Sequence, residues 1–281
     1  MMKNLSTVAA GAALLAFETM GAAHGAAIVP GNLENIEGNT NHILPFNSSN
    51  FPTPSSRYQQ VFAASEFASL SEPFLISQIL FRPDAERGRA FSSTLPNIQI
   101  NLSTTMKVPD GLSRIFAQNI GVDEKVVFRG SLSLSSAFTG DTTGVNDIDI
   151  VINLMTPFLY NPSAGNLLLD VRNFAGGFST QFDGQRTAGD FTSRVTSTLV
   201  GASGGTVDTS GLATKFVTTP AVPAAPAVPP VPSVPALPTV PTVPTVPGKA
   251  VPEPASVLGI LAVAAFGANS ARKRKSFVTS N

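Results

Sequence analysis

The chain has 281 residues, 18 basic and 18 acidic side chains, no cysteine and no tryptophan, and charged residues make up 13% of it. At roughly 100–200 residues per domain, that length holds one or two domains. Zero net charge at low charge density excludes the basic stripe of a nucleic-acid binder, and the lack of cysteine excludes disulfides, thiolate metal sites and thiol nucleophiles.

The N-terminus reads as a secretory signal. Lys3 supplies the positive region, residues 8–17 are an apolar run, and Gly21, Ala22, Ala23, Gly25, Ala26 and Ala27 offer small side chains to a signal peptidase. The apolar run is too short to span a hydrocarbon layer of about 30 Å. Residues 1–26 are therefore expected to be a signal peptide, and His24 goes with them.

Residues 27–217 form the expected exported domain. Between residues 28 and 216 there are 12 basic against 16 acidic side chains, a net charge near −4. The periodicity is that of strands. Ile98, Ile100 and Leu102 alternate with Asn97, Gln99, Asn101 and Ser103, and Ile148, Ile150, Ile152 and Leu154 alternate with Asp147, Asp149, Val151 and Asn153. Both read as half-buried strands with one wet face. Val126, Phe128, Leu132 and Leu134 share one parity through Gly130, a candidate bend. The more uniformly apolar residues 74–81 and 167–171 read as central strands, and residues 57–62, 194–200 and 212–217 as further strands. Asp110-Gly111, Gly140-Asp141, Asn161-Pro162, Gly176-Gly177, Asp183-Gly184 and Gly204-Gly205 read as turns. Residues 111–119 hint at a short helix. Eight or nine strands patterned in this way predict an all-β, antiparallel sandwich, jelly-roll-like. Phenylalanine dominates the aromatics, 19 against two tyrosines, and fills a core without requiring a hydrogen-bond partner.

Residues 218–250 read as a stalk. Prolines recur every third residue from Pro220 to Pro247. Proline fixes φ and removes a donor, so helix and sheet are closed to this stretch and polyproline II, with three residues per turn, is expected. At about 3.1 Å per residue it would reach roughly 85 Å.

Residues 251–275 combine Pro252-Glu253-Pro254, an apolar stretch over residues 257–271, and the basic cluster Arg272, Lys273, Arg274 and Lys275; a polar tail, residues 276–281, follows. The apolar stretch is expected to be a short membrane helix, with the basic cluster as its cytoplasmic anchor. This order resembles the PEP-CTERM sorting signal. The resemblance implies recognition of Pro252, Glu253 and Pro254 by a membrane-embedded exosortase, removal of the tail, and delivery from the inner membrane to the cell surface or extracellular matrix. Within the domain, Arg57-Tyr58-Gln59-Gln60-Val61, Phe81-Arg82-Pro83-Asp84, Ser92-Ser93-Thr94-Leu95 and residues 164–170 also resemble exported proteins that carry this signal. That likeness brings no catalytic residue with it.

The residues offer little chemistry. Asp147 and Asp149, on one strand face, suit either a solvated surface or Ca²⁺ with loop oxygens, and no dense Asp/Gly calcium loop follows them. Asp84, Glu86, Arg87 and Arg89 read as the tip of a hairpin, and Arg57-Tyr58 as either a sugar platform or the closed edge of a sandwich. His42 has no nucleophile near it in sequence. No Gly-x-Ser-x-Gly elbow, Walker loop or zinc-ligand set occurs. Sixteen acidic residues allow a glycosidase pair without singling one out.

The expectation is a non-enzymatic surface or matrix protein, structural or adhesive, without cofactor or resident metal. Its expected partners are an exosortase during processing, the membrane before processing, and extracellular polysaccharide. The alternatives are a carbohydrate-binding module of the matrix, which the lack of tryptophan disfavours, and a secreted polysaccharide hydrolase with two carboxylates converging in a cleft.

Overall fold

The structure is a computed structural model and describes residues 25–70, 73–140 and 145–221. The signal peptide through His24, Asp141, the stalk beyond Ala221, the motif Pro252, Glu253 and Pro254, the membrane helix, and the cluster Arg272, Lys273, Arg274 and Lys275 lie outside the described residues. Among the described residues no helix is long and apolar enough to cross a membrane.

Thirteen strands form antiparallel sheets that pack together as a sandwich. One sheet has the order β1 (Gly25–Val29), β13 (Thr214–Pro220), β4 (Phe74–Phe81) and β7 (Ile150–Tyr160). The opposing sheet runs β11 (Thr206–Asp208), β10 (Thr192–Ser197), β3 (Ser56–Phe62), β8 (Asn166–Asn173), β5 (Phe91–Thr105) and β6 (Lys125–Ser136). A small third sheet consists of β12 (Ser210–Leu212), β9 (Phe182–Arg186) and β2 (Thr40–His42). As expected, β4 and β8 are interior strands. Five short strands (β1, β2, β9, β11 and β12) carry too few residues for a readable period. Asp183-Gly184, expected as a turn, lies inside β9, and the strand expected over residues 194–200 is β10, which ends at Ser197. The helix hinted at over residues 111–119 is a single 3-10 turn, Phe116–Gln118.

Phenylalanine does fill the core. Phe46, Phe81 and Phe182 meet with ring centroids 5.5–5.8 Å apart. Elsewhere in the same core, Phe67, carried on a 3-10 turn, touches Phe74, Tyr160 and Phe216 at 5.3–5.9 Å. Phe216 stands edge-on to Phe62 of the opposite sheet at 5.0 Å. Tyr160, whose hydroxyl cannot be left dry, donates to the Gly165 carbonyl at 2.8 Å.

Bulges explain where apolar parity fails. In β4, Phe74 and Ile76 face the core, but so do Ile79 and Phe81. Ser77 is skipped in the pairing of β4 with both β13 and β7, which flips the parity halfway along. In β6 the pairing steps from Phe128 to Val126. Val127 is the extra residue and is buried, whereas Val126, expected inside, is exposed. Gly130 does mark a bend: its φ of 137° lies in a region that favours glycine, beside another step in the register.

The expected wet face of residues 97–103 is buried. Gln99, Asn101 and Ser103 of β5 lie on the outer side of the six-stranded sheet, as do Gln59 of β3 and Asp170 of β8. A second, smaller core of Val61, Leu112, Phe116, Leu168 and Val195 covers part of that side. Polar groups beneath the covering segment satisfy one another. Arg57 donates to Asp170 at 2.6 Å, Gln59 donates to Asp170 at 3.0 Å, and Asn119 donates to Gln59 at 3.0 Å.

Gln60, on the inner side of β3, fastens the third sheet. Its amide donates to the Leu212 carbonyl at 3.0 Å and its oxygen accepts from the Leu212 N–H at 2.9 Å, so a side chain stands in for a strand neighbour. The neighbouring Gly211 has no room for a Cβ, which would fall 2.4 Å from Thr192.

Phe216 bridges both sheets, so Phe216→Ala is expected to lower unfolding free energy by about 3–5 kcal/mol. Equilibrium urea unfolding measures this, and a loss under about 1 kcal/mol would mean that the sheets do not close on that ring.

Candidate functional site

The residues singled out from sequence do not converge. The second alternating strand begins at Ile150, so Asp147 and Asp149 are not strand neighbours. Asp147 is exposed, while Asp149 accepts from the Ser136 hydroxyl and the Ala137 N–H at 2.9 and 2.8 Å, closing the end of β6. Arg57 and Tyr58 point to opposite sides of β3: Tyr58 is in the core, and the Arg57 guanidinium stacks 4.5 Å from the Phe116 ring centre. They form no common platform. The loop of Asp84, Glu86, Arg87 and Arg89 is not a hairpin tip, because β4 and β5, which it joins, belong to different sheets.

That loop borders the most concentrated charge among the described residues. Beyond β4 the chain stays antiparallel to β9: Asp183 donates its N–H to the Arg82 carbonyl at 2.9 Å, and Asp84 donates to the Gln181 carbonyl at 3.0 Å. Arg82 and Asp183 are thereby cross-strand neighbours, both fully buried. The Arg82 guanidinium donates through Nε and Nη2 to Asp183 Oδ2 at 2.8 and 2.5 Å, through Nη1 to the Leu33 carbonyl at 2.9 Å, and through Nη2 to the Ile36 carbonyl at 2.9 Å. Asp183 Oδ1 accepts from the Gly38 N–H at 2.9 Å. Gly38 must be glycine there, since a Cβ would lie 2.0 Å from the Gly184 carbonyl oxygen.

Glu37 and Asp84 complete the cluster, and one oxygen from each of Glu37, Asp84 and Asp183 lies within 4.8 Å of the others. Glu37 Oε1 accepts from the Ala85 N–H at 2.7 Å, while its Oε2 has no hydrogen-bond partner and lies 3.9 Å from Arg82 Nε. Asp84 Oδ1 accepts from the Glu86 and Arg87 N–H groups at 3.2 and 2.6 Å. A cavity of about 240 Å³ opens beside Glu37, Asp84 and Glu86.

Burial, then the nearby Asp183 charge, pushes the Glu37 carboxyl up to about 7, against the weaker pull of Arg82. Burial also raises Asp84, against the Arg87 and Glu86 N–H groups. Burial raises Asp183 too, and the Arg82 guanidinium opposes it. His42, on β2, has a buried Nε2 without a hydrogen-bond partner. Burial, with the Arg194 charge, lowers it to about 4 and keeps it neutral.

Chemically this is a clamp with one loose end. The oxygens span the width of a Ca²⁺ inner shell, where ligands lie at about 2.3–2.6 Å. Arg82, however, already supplies the positive charge, and a cation would have to sit beside its guanidinium. Hydrolysis would rest on Glu37 and Asp84, but Asp84 Oδ1 is committed to its own turn and the spacing falls below the roughly 5–5.5 Å of a retaining glycosidase. The arrangement pins residues 33–38 and the turn after Asp84 onto β4 and β9. Sequence reasoning missed Arg82, Glu37 and Asp183. The available signal was an arginine directly after an unbroken apolar strand.

Glu37→Gln keeps an acceptor for Ala85 and removes the titration. The native Glu37 holds its proton up to about pH 7, whereas the unfolded chain releases it near 4.5, so the native state loses stability as pH rises between those values. The variant is expected to match wild type at pH 4 and exceed it by about 2 kcal/mol at pH 8, in urea unfolding at each pH. His42→Gln works on the other limb. The unfolded imidazole gains a proton below 6.5 and the native one only near 4, so the variant's advantage grows as pH falls through that window. A wild-type difference constant with pH would refute either assignment.

With Arg82 as counter-ion, thermal melts with EDTA and with millimolar Ca²⁺ are expected to coincide. Stabilisation of several degrees by Ca²⁺, lost in Glu37→Gln, would make the cluster a metal centre instead.

Comparison with known proteins finds no match for this chain among family models, curated proteins or solved structures.

Proposed function

We propose that this is an exported cell-surface or extracellular-matrix protein with a structural or adhesive, non-catalytic role. The observation that carries the reading is the order of segments: an N-terminal signal, a β domain, prolines at period three, Pro252-Glu253-Pro254, an apolar stretch, and Arg272, Lys273, Arg274 and Lys275. In that reading an exosortase recognises the Pro-Glu-Pro motif while the apolar helix holds the precursor in the inner membrane, and the polyproline II stalk extends the domain from its attachment. The domain itself fits a jelly roll. The four-strand orders β1-β13-β4-β7 and β3-β8-β5-β6 place many successive long strands in alternate sheets, which supports two interleaved Greek keys. A structural role agrees with charged groups that are spent on tying segments together, as at Arg82 and Asp170.

Binding of matrix carbohydrate is the second reading, and a groove beside the exposed Phe178 ring favours it. Polysaccharide hydrolysis has only the Glu37–Asp84 proximity in its favour.

Glu253→Ala tests the sorting reading in the producing cell. The variant is expected to remain a full-length, membrane-retained precursor, while wild type is shortened and leaves the inner membrane. Unchanged mature mass and location would refute it.

A further inference from the structure

The charged loop between β4 and β5 divides its charges between two sides. Asp84 and Glu86 border the carboxylate cavity described above. Arg87 and Arg89 line a separate groove of about 260 Å³ with Asn47, Asn50, Phe178 and Gln181. No acidic side chain lines this second groove, although the domain carries an excess of acidic residues.

The groove is built rather than incidental. Phe178 is 56% exposed, yet its ring is braced edge-on by Phe91 at a centroid distance of 6.4 Å. Asn47 donates to the Ser179 carbonyl at 2.9 Å, and the Arg89 N–H donates to the Thr180 hydroxyl at 2.6 Å, so both walls are tied to the Phe178 strand segment. Arg89 Nη1 donates to the Glu86 and Gly88 carbonyls, which fixes its guanidinium plane while Nε and Nη2 stay free of protein partners. Among the described residues, the Arg87 guanidinium and the Asn50 and Gln181 amides make no side-chain hydrogen bond or ion pair. An apolar ring, two guanidinium groups and two free amides thus border one depression.

We propose that this groove binds a carboxylate-bearing polysaccharide, taking about one or two uronate rings of a longer chain. A flat aromatic face receives the C–H face of a pyranose, and guanidinium pairs with carboxylate bidentately. Amides supply donors and acceptors for ring hydroxyls. A cavity of this size lies below the roughly 300–1,000 Å³ of enclosed small-molecule pockets and suits a stretch of polymer passing over the surface. The charge contribution is exposed and therefore weakened by salt. This inference rests on the matrix role proposed above and names the ligand class. Its test uses purified protein, so it can fail without touching the sorting reading, and the reverse also holds.

The experiment titrates the full-length protein in neutral detergent with oligogalacturonate, with maltooligosaccharide of equal length, and with polyglutamate, following microscale thermophoresis. Oligogalacturonate is expected to bind, with affinity falling as salt rises. The neutral glycan is expected to bind at least about tenfold more weakly, since one charge-assisted pair is worth that factor. Arg87→Ala and Phe178→Ala are each expected to weaken oligogalacturonate about tenfold at unchanged melting temperature, while Phe178→Ala leaves polyglutamate unaffected. Equal binding of the neutral glycan would overturn the ligand class. Equal binding of polyglutamate, with no effect of Phe178→Ala on either anion, would reduce the site to a charge patch. No binding of oligogalacturonate, or binding insensitive to both substitutions, would remove the site altogether.

Discussion

A guanidinium buried at the end of β4 needs acceptors on several sides, and in this protein they come from three parts of the chain. Asp183 reaches Arg82 from β9, and the carbonyls of Leu33 and Ile36 reach it from the segment before β2. Removing a charged group from water costs several kcal/mol unless every donor is met. The contacts therefore act together: a chain that lacks the Leu33–Glu37 segment leaves the arginine short of partners, and a chain that lacks Asp183 leaves it unpaired. The third sheet, the entry of β9 and the path of residues 31–41 all hang on that one side chain. Glu37, brought close to Asp183 by the same arrangement, inherits a raised proton affinity as a by-product.

The outer side of the six-stranded sheet solves a similar problem by different means. Arg57, Gln59, Asp170, Arg172 and Asn119 satisfy one another beneath the segment that carries Phe116. Asp170 lies between two arginines, so the cluster carries its own compensation. A polar sheet face thus becomes a second interior without an apolar pattern in the sequence.

That difference marks the boundary of what sequence could convey. Strand identity was legible where apolar residues repeat at period two or run unbroken, as in β4, β5, β7 and β8. Period two reports which residues alternate, not what lies on the polar side, so the burial of Gln99 and Asn101 was invisible. Parity also assumes an even ladder, and a single extra residue at Ser77 or Val127 reverses it with no local sign. The charged clamp was hidden for a plainer reason. Arg82 and Asp183 lie 101 residues apart, and two other acceptors are main-chain carbonyls that every residue has. The groove at Phe178 has the same character, because Arg87 and Phe178 become neighbours only once β4 and β9 are paired.

Strand β13 is hydrogen-bonded on both flanks, through seven residue pairs with β4 and five with β1, and it runs straight into the prolines that begin at Pro220. Ladder bonds in an antiparallel sheet lie across the strand direction. A pull on the chain beyond Ala221 therefore enters the middle of a sheet rather than its edge. It loads both ladders in shear, many bonds at once, instead of peeling them open one by one. An edge strand leading into the same prolines would unzip under far smaller forces. The place where the chain leaves the sandwich thus makes it mechanically strong along the direction in which a tether would tug.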